Sequence, residues 1–156
     1  MSELADLGAR ITRLEDVEAI KKLKAKYWRC VDRRQPDEIV DLFTDDAVAE
    51  FSHRGRFEGR DAIMAFVRQV AQETTTIRTH HGHNPEIEIT GDYTAKGTWQ
   101  IFHYMIDDQA NKGRRQSGFY YDEYAKVNGE WKIKSAQLRH VFREEIDRER
   151  QGLRLI

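Results

Sequence analysis

Apolar side chains at Leu14, Val17, Ile20, Leu23, Tyr27 and Val31 recur at three- and four-residue intervals, and Glu15, Glu18, Lys21, Lys22 and Lys24 fall mostly between them. This spacing predicts an amphipathic helix running to Asp32. Thr12 with Glu15 three residues on reads as a capping box at its start, and Arg33 and Arg34 suit the negative end of its dipole. Pro36 fits the first position of a second, short helix over Asp37 to Phe43, which Asp45-Asp46 ends. A third helix is predicted over Ala62 to Gln72, with Ile63, Phe66, Val67 and Val70 on one face.

The period changes elsewhere. Ala47 to Ser52 reads as a strand, His53-Arg54-Gly55 as a turn and Arg56 to Glu58 as a short return strand. Four long strands follow: Ile77 to Thr90, interrupted near Gly82 and Pro85, then Tyr93 to Ile106, Gln116 to Val127 and Glu130 to Arg143. Asn128-Gly129 between the last two is a strong hairpin signal. Helices followed by a run of strands point to an α+β fold, in which a curved antiparallel sheet wraps the first helix and leaves a cone-shaped hollow. Trp99, Phe119, Tyr121 and Trp131 are expected on its buried side. The remaining tail, Glu144 to Ile156, is charged and then apolar at Leu153, Leu155 and Ile156, and is expected to pack on a partner subunit or fray.

At 156 residues this is the size of a single domain with a real core. Lys+Arg at 26 against Asp+Glu at 27 shows no basic excess of the kind a nucleic-acid partner requires. The single cysteine, Cys30, excludes an intrachain disulfide framework and suits a reducing, cytoplasmic home. The N-terminus shows no signal-peptide pattern, and the longest apolar stretch, Ala62 to Val67, is far too short to span a bilayer.

Five of the six histidines, namely His80, His81, His83, His103 and His140, lie in or beside the predicted strands of the second half. Histidine exchanges protons near neutral pH, and a strand is a rigid mount for it. His80 and His103 are expected to enter one pocket from neighbouring strands, closed by the helix that carries Tyr27 and Asp32. His81 and His83 can share a strand face, but no cysteine or carboxylate at a recognised ligand spacing accompanies them, so no metal is called for.

The run Val17 to Asp32 resembles the first helix of SnoaL-like proteins, members of the nuclear-transport-factor-2-like, or cystatin-like α+β, superfamily. His80-His81-Gly82-His83-Asn84-Pro85-Glu86-Ile87, Ala95-Lys96-Gly97-Thr98-Trp99, Gly118 to Tyr124 and Gly129-Glu130-Trp131-Lys132-Ile133 extend the likeness over about Leu14 to Glu145. Within that group the chain resembles bile-acid 7α-dehydratase and, more distantly, scytalone dehydratase. Steroid Δ-isomerase and polyketide cyclases share the cone. Tyr27, Asp32 and His80 match the dehydratase pattern. His103 stands where the bile-acid enzymes carry an aspartate, and His140, beside Arg139, where they carry an arginine. Asp32, His80 and His103 look like the scytalone dehydratase arrangement.

The resemblance implies a cofactor-independent lyase, dehydratase-like, working by proton abstraction on a hydrophobic cyclic or aromatic hydroxylated small molecule. His80 would be the base, oriented by Asp32, Tyr27 would donate to a developing oxyanion, and His103 would help a hydroxyl leave. His140, Trp99, Phe51, Phe119 and Phe102 are candidate substrate contacts, with Met64, Phe66 and Phe142 as further liners. The relatives need no metal and form dimers or trimers through the outer face of the sheet, so a homodimer or homotrimer is expected. Isomerisation or carbon–carbon cleavage at the same site, or a non-catalytic binding or scaffold module, are the alternatives. A packed-shut pocket would favour the last.

Overall fold

The computed structural model describes residues 3–153, and the Leu155 and Ile156 expectation lies outside them. The elements are α1 (Glu3–Asp32), two 3-10 turns (Pro36–Glu38 and Val40–Leu42), β1 (Phe43–Phe51), a 3-10 turn (Ser52–Arg54), β2 (Arg56–Glu58), α2 (Arg60–Ala71), β3 (Thr76–Gly91), β4 (Thr94–Asp107), β5 (Lys112–Val127) and β6 (Glu130–Asp147). The six strands form one curved, open sheet in the order β2-β1-β6-β5-β4-β3, with α1 laid across its concave face. This is the α+β cone expected, with helical turns in three places. β3 to β6 form an antiparallel meander. The sheet is not wholly antiparallel, since β1 joins β6 in parallel and lets the chain's first strand close on its last.

Several boundaries differ from the sequence reading, each for a physical reason. α1 begins at Glu3, so Thr12 and Glu15 lie inside it and form no cap. Residues 3–15 of it are solvent-exposed, including Leu14 at 70%, because the sheet covers the helix only from Asp16 onward. The second helix is a pair of 3-10 turns. β1 starts at Phe43, and Asp45 and Asp46 sit in an irregular stretch of it, paired outward with Arg60 and Lys134. β3 runs unbroken through Gly82, with a register shift between His83 and Glu86 absorbing Asn84 and Pro85. β6 extends to Asp147, and Arg148 beyond it is buried against Tyr104 and Asn111.

The inward face of β5 is Gln116, Gly118, Tyr120, Asp122 and Tyr124. Trp99 and Trp131 are buried as expected, but Phe119 is half-buried and Tyr121 is 48% exposed. A strand has period two, so an error of one position moves every side chain to the other face. What reverses the apolar pattern is Asp122, which is held inside by Lys24 at 2.6 Å with both side chains 0% exposed. Tyr124 donates to the same carboxylate and accepts from Trp99 Nε1. This buried pair pins α1 to the middle of the sheet.

A second contact sets the sliding position of α1. The Trp28 indole lies on Gly82 so closely that a Cβ there would meet ring carbons at 1.8 Å. Trp28 cannot retreat, being edge-on to Trp99 at 5.4 Å and to Tyr120 at 6.0 Å. From Trp28 to Asp32 the helix advances about 6 Å, and from Gly82 back to His80 the strand advances about 6.6 Å. Seating Trp28 on Gly82 therefore delivers Asp32 to His80. Among the described residues no helix is long and apolar enough to cross a membrane.

Gly82→Ala is expected to cost about 1–3 kcal/mol by overpacking. Gly8→Ala, in the exposed overhang with nothing near its Cβ, should gain up to about 1 kcal/mol. Urea denaturation of the two variants checks both signs.

Candidate active site

Strand register places the site's side chains in rows. His80 on β3 is opposite His103 on β4, which is opposite Gln116 on β5. One step toward the open end lie Arg78, Met105 and Arg114. One step the other way lie Gly82, Ile101, Gly118 and, on β6, His140. His140 reaches this row through a bulge at Val141, and Gly118 is required there because a Cβ would strike the Arg139 carbonyl oxygen at 2.1 Å. The pairing of Arg139 with Glu50 turns that side chain outward, while His140 faces the hollow.

Asp32 grips His80 twice. Oδ1 lies 2.5 Å from His80 Nδ1, and Oδ2 accepts the His80 backbone N–H at 2.9 Å. A carboxylate accepts from Nδ1–H, which fixes the tautomer and leaves Nε2 free of a proton. The His80 and His103 rings stack at 3.8 Å with planes 14° apart. Gln116 Nε2 donates to His103 Nδ1 at 2.6 Å, which puts the His103 proton on Nε2. That nitrogen and Gln116 Oε1 are buried without a hydrogen-bond partner.

His80, His103 and Gln116 border a cavity of about 100 Å³ whose wall also includes Tyr27, Phe51, His53, Arg54, Phe66, Tyr120 and Leu138. A compact ring-sized group is the scale such a space accommodates. Burial, then the neighbouring His80, pushes the His103 pKa down to about 2, so its ring is a neutral donor at working pH. Burial, then His53 and Arg143, pushes His140 down to about 4. Burial lowers His53 too, aided by Arg143, Arg54 and Arg114. Tyr27 is raised by burial and then by the Asp122 charge, so its phenol keeps its proton.

The structure thus brings His80, His103, Tyr27, His140, Phe51 and Phe66 to one cavity, with Asp32 bound to His80 from outside its wall. It places the other expected contacts elsewhere. Trp99 is buried against Trp28 and Tyr124, beside a surface groove shared with Asp32, His80 and His81. Phe102 and Phe119 take the strand face opposite His103 and Tyr120, and Phe142 is exposed on that same outer side. Met64 is plain core. His81 and His83 occupy the outer face of β3, where His81 meets Thr79. Among the described residues no group of three or more His, Cys, Asp or Glu side chains is arranged to hold a metal ion.

Sequence reading missed His53, Arg54, Arg78, Arg114 and Gln116. Arg78 carried a usable signal, since it is two residues from His80 and therefore on the same strand face. Gln116 and Arg114 carried none, because only the β4–β5 register sets them against His103 and Met105.

A SnoaL-like domain model matches residues 12–137, most of the chain. The chain belongs to the SnoaL-like family. A candidate scytalone dehydratase from Novosphingobium aromaticivorans DSM 12444 is similar, at 23% identity and a TM-score of 0.80 over 86% of this chain and 90% of that one. Hexachlorocyclohexane dehydrochlorinase LinA-type3 from Novosphingobium barchaimii LL02 superposes with a TM-score of 0.81 at 20% identity, covering 94% and 98%. A cystatin-like-fold protein from Caulobacter vibrioides gives 0.69 at 13% identity, covering 82% and 91%. At these identities the likeness concerns the fold, and this SnoaL-like protein's chemistry must be argued from its own residues.

The neutral His103 has a consequence for stability. The folded protein keeps it unprotonated down to about pH 2, whereas an ordinary histidine takes up its proton at 6.5. Its contribution is present above pH 6.5 and is lost as the pH falls from there toward 2, by at most about 1.4 kcal/mol per pH unit. His103→Gln should therefore lose less stability than the parent between about pH 7.5 and about pH 5, as read from urea midpoints.

Proposed function

We propose that this protein is a cofactor-independent lyase of the dehydratase type, acting on a cyclic or aromatic hydroxylated small molecule. The observation that carries the reading is the two-point grip of Asp32 on His80, which presents an unprotonated Nε2 beside a cavity that also holds the neutral donors Tyr27 and His103. A structural histidine would have both ring nitrogens satisfied.

The chemistry follows from the groups in place. His80 Nε2 removes the proton from the carbon next to a substrate carbonyl, and Asp32 stabilises the imidazolium so formed. Tyr27 is the donor for the oxygen on which negative charge develops. His103, being neutral, donates a hydrogen bond from Nε2–H to the departing hydroxyl rather than supplying a proton. The proton comes from the His80 imidazolium, which releases it to the leaving oxygen, so water departs and the base is regenerated. Phe51, Phe66 and Leu138 supply an apolar wall, which excludes water and strengthens each of these contacts. Dehydratase and dehydrochlorinase names among the similar structures are in keeping with an elimination.

The protein is further proposed to form a homodimer or homotrimer through the outer face of the sheet, where Tyr121 and Phe142 are exposed and Phe119 is half-buried. Light scattering at micromolar concentration should return a mass above that of one chain.

With a panel of β-hydroxy ketones, water loss should be followed by the absorbance of the conjugated product. Asp32→Asn and His80→Ala should each lower kcat by about 10²–10⁴-fold with the circular dichroism spectrum unchanged. The double variant should fall little further, because the two act as a unit. Tyr27→Phe should slow kcat more than it alters KM. Turnover that survives His80→Ala would overturn the assignment.

A further inference from the structure

The open end of the cavity carries more positive charge than its own carboxylates balance. Arg78 and Arg114 flank Met105 in one inward row, and Arg54 enters the wall from the 3-10 turn after β1. Arg143, exposed at the β6 end of the His80–His103–Gln116 row and outside the cavity wall, adds a fourth positive charge nearby with no ion-pair partner among the described residues. Against these four stand Glu73, shared by Arg78 at 3.0 Å and Arg54 at 3.9 Å, and Glu145, paired with Arg114 at 3.0 Å. Asp32 is already engaged by His80.

Arg78 is the most informative of the group. Its side chain is only 4% exposed, it borders the cavity, and its Nε has no hydrogen-bond partner. Arg114 Nε is likewise buried and unpartnered. Burying a guanidinium with a donor unmade is costly, and a core that needed only packing would not keep it. Beside them lie His103 Nε2 and His140 Nδ1, also buried and unpartnered. The arginines repel one another, since Arg54 acts to lower Arg78 and, with Arg114, Arg143. A bound anion would relieve that repulsion and supply acceptors for the orphaned N–H groups.

We propose that this basic end of the cavity binds a carboxylate carried by the substrate. A planar carboxylate matches the fork of a guanidinium and accepts from two donors at once. Anchored on Arg78 and Arg114, the substrate would extend one row inward, about 5–7 Å away along the strands, and bring its reacting carbon to His80. The inference deepens the lyase reading and rests on it for what happens at His80, but the anion site itself can be tested without turnover.

The test is isothermal titration of the whole protein with benzoate and with benzamide, which share shape and differ in charge. Benzoate is expected to bind at least about tenfold more tightly. Arg114→Gln and Arg78→Gln should each abolish that preference. Arg78→Lys, which keeps the charge and the tie to Glu73 but loses the fork, should reduce it by a smaller factor and serves where Arg78→Gln unfolds. Equal binding of the two probes, or none, overturns the proposal, as does a preference untouched by Arg114→Gln in a folded protein. Asp32→Asn should leave the preference intact. A charge preference with turnover that survives His80→Ala would sink the lyase reading and keep the anion site, and the reverse pattern would do the opposite.

Discussion

The Trp28 ring seated on Gly82 is the contact on which the site's geometry depends. A helix can slide along a sheet at little cost wherever the interface is a smooth apolar one, and the exposed residues 3–15 show that the sheet does not itself limit the helix. An indole that fits only over a residue without a Cβ removes that freedom. It does so one helical turn from Asp32 and two strand residues from His80, so the near-equality of the two advances becomes a 2.5 Å contact. The buried Lys24–Asp122 pair fixes the same helix one turn back from Trp28, against β5. Two anchors on one rigid helix define its rotation as well as its translation. A buried ion pair contributes little net stability once desolvation is counted, and fixing this orientation is the role its position suits.

The electrostatics of the cavity follow from the same burial. Desolvation disfavours charge on His53, His103 and His140, and nearby arginines push in the same direction, so His103 and His140 are neutral. Only His80 has a carboxylate of its own. One sheet row therefore holds two stacked imidazoles with different partners: Nδ1 of His80 meets Asp32, and Nδ1 of His103 meets Gln116.

The helical period of α1, the placement of α2, the hairpin at Asn128-Gly129 and the order of elements were legible in the sequence because each rests on local pattern or turn chemistry. So were Asp32, His80 and His103 as candidates, through a resemblance that covers nearly the whole chain. Phe102, Phe119 and Tyr121 were misplaced because apolar character was taken to mean inward, while the strand's true inward set includes a buried aspartate and a glutamine. The cap at Thr12 failed for a related reason: the helix outruns the core, so the change from buried to exposed marks no end of the helix.

By itself, then, the sequence determined what each segment would be, since hydrogen-bond period and turn preference are settled within a few residues. The family likeness singled out Asp32, His80 and His103 as candidates. Tertiary structure alone decided which side chains meet. The register of β4 on β5 set Gln116 against His103, the bulge at Val141 turned His140 inward and Arg139 outward, and the alignment of Arg78 with Arg114 made a basic wall from residues 36 positions apart. Those outcomes hang on pairing offsets between distant strands, where a slip of one residue exchanges the two faces, and no local stretch of chain encodes such an offset.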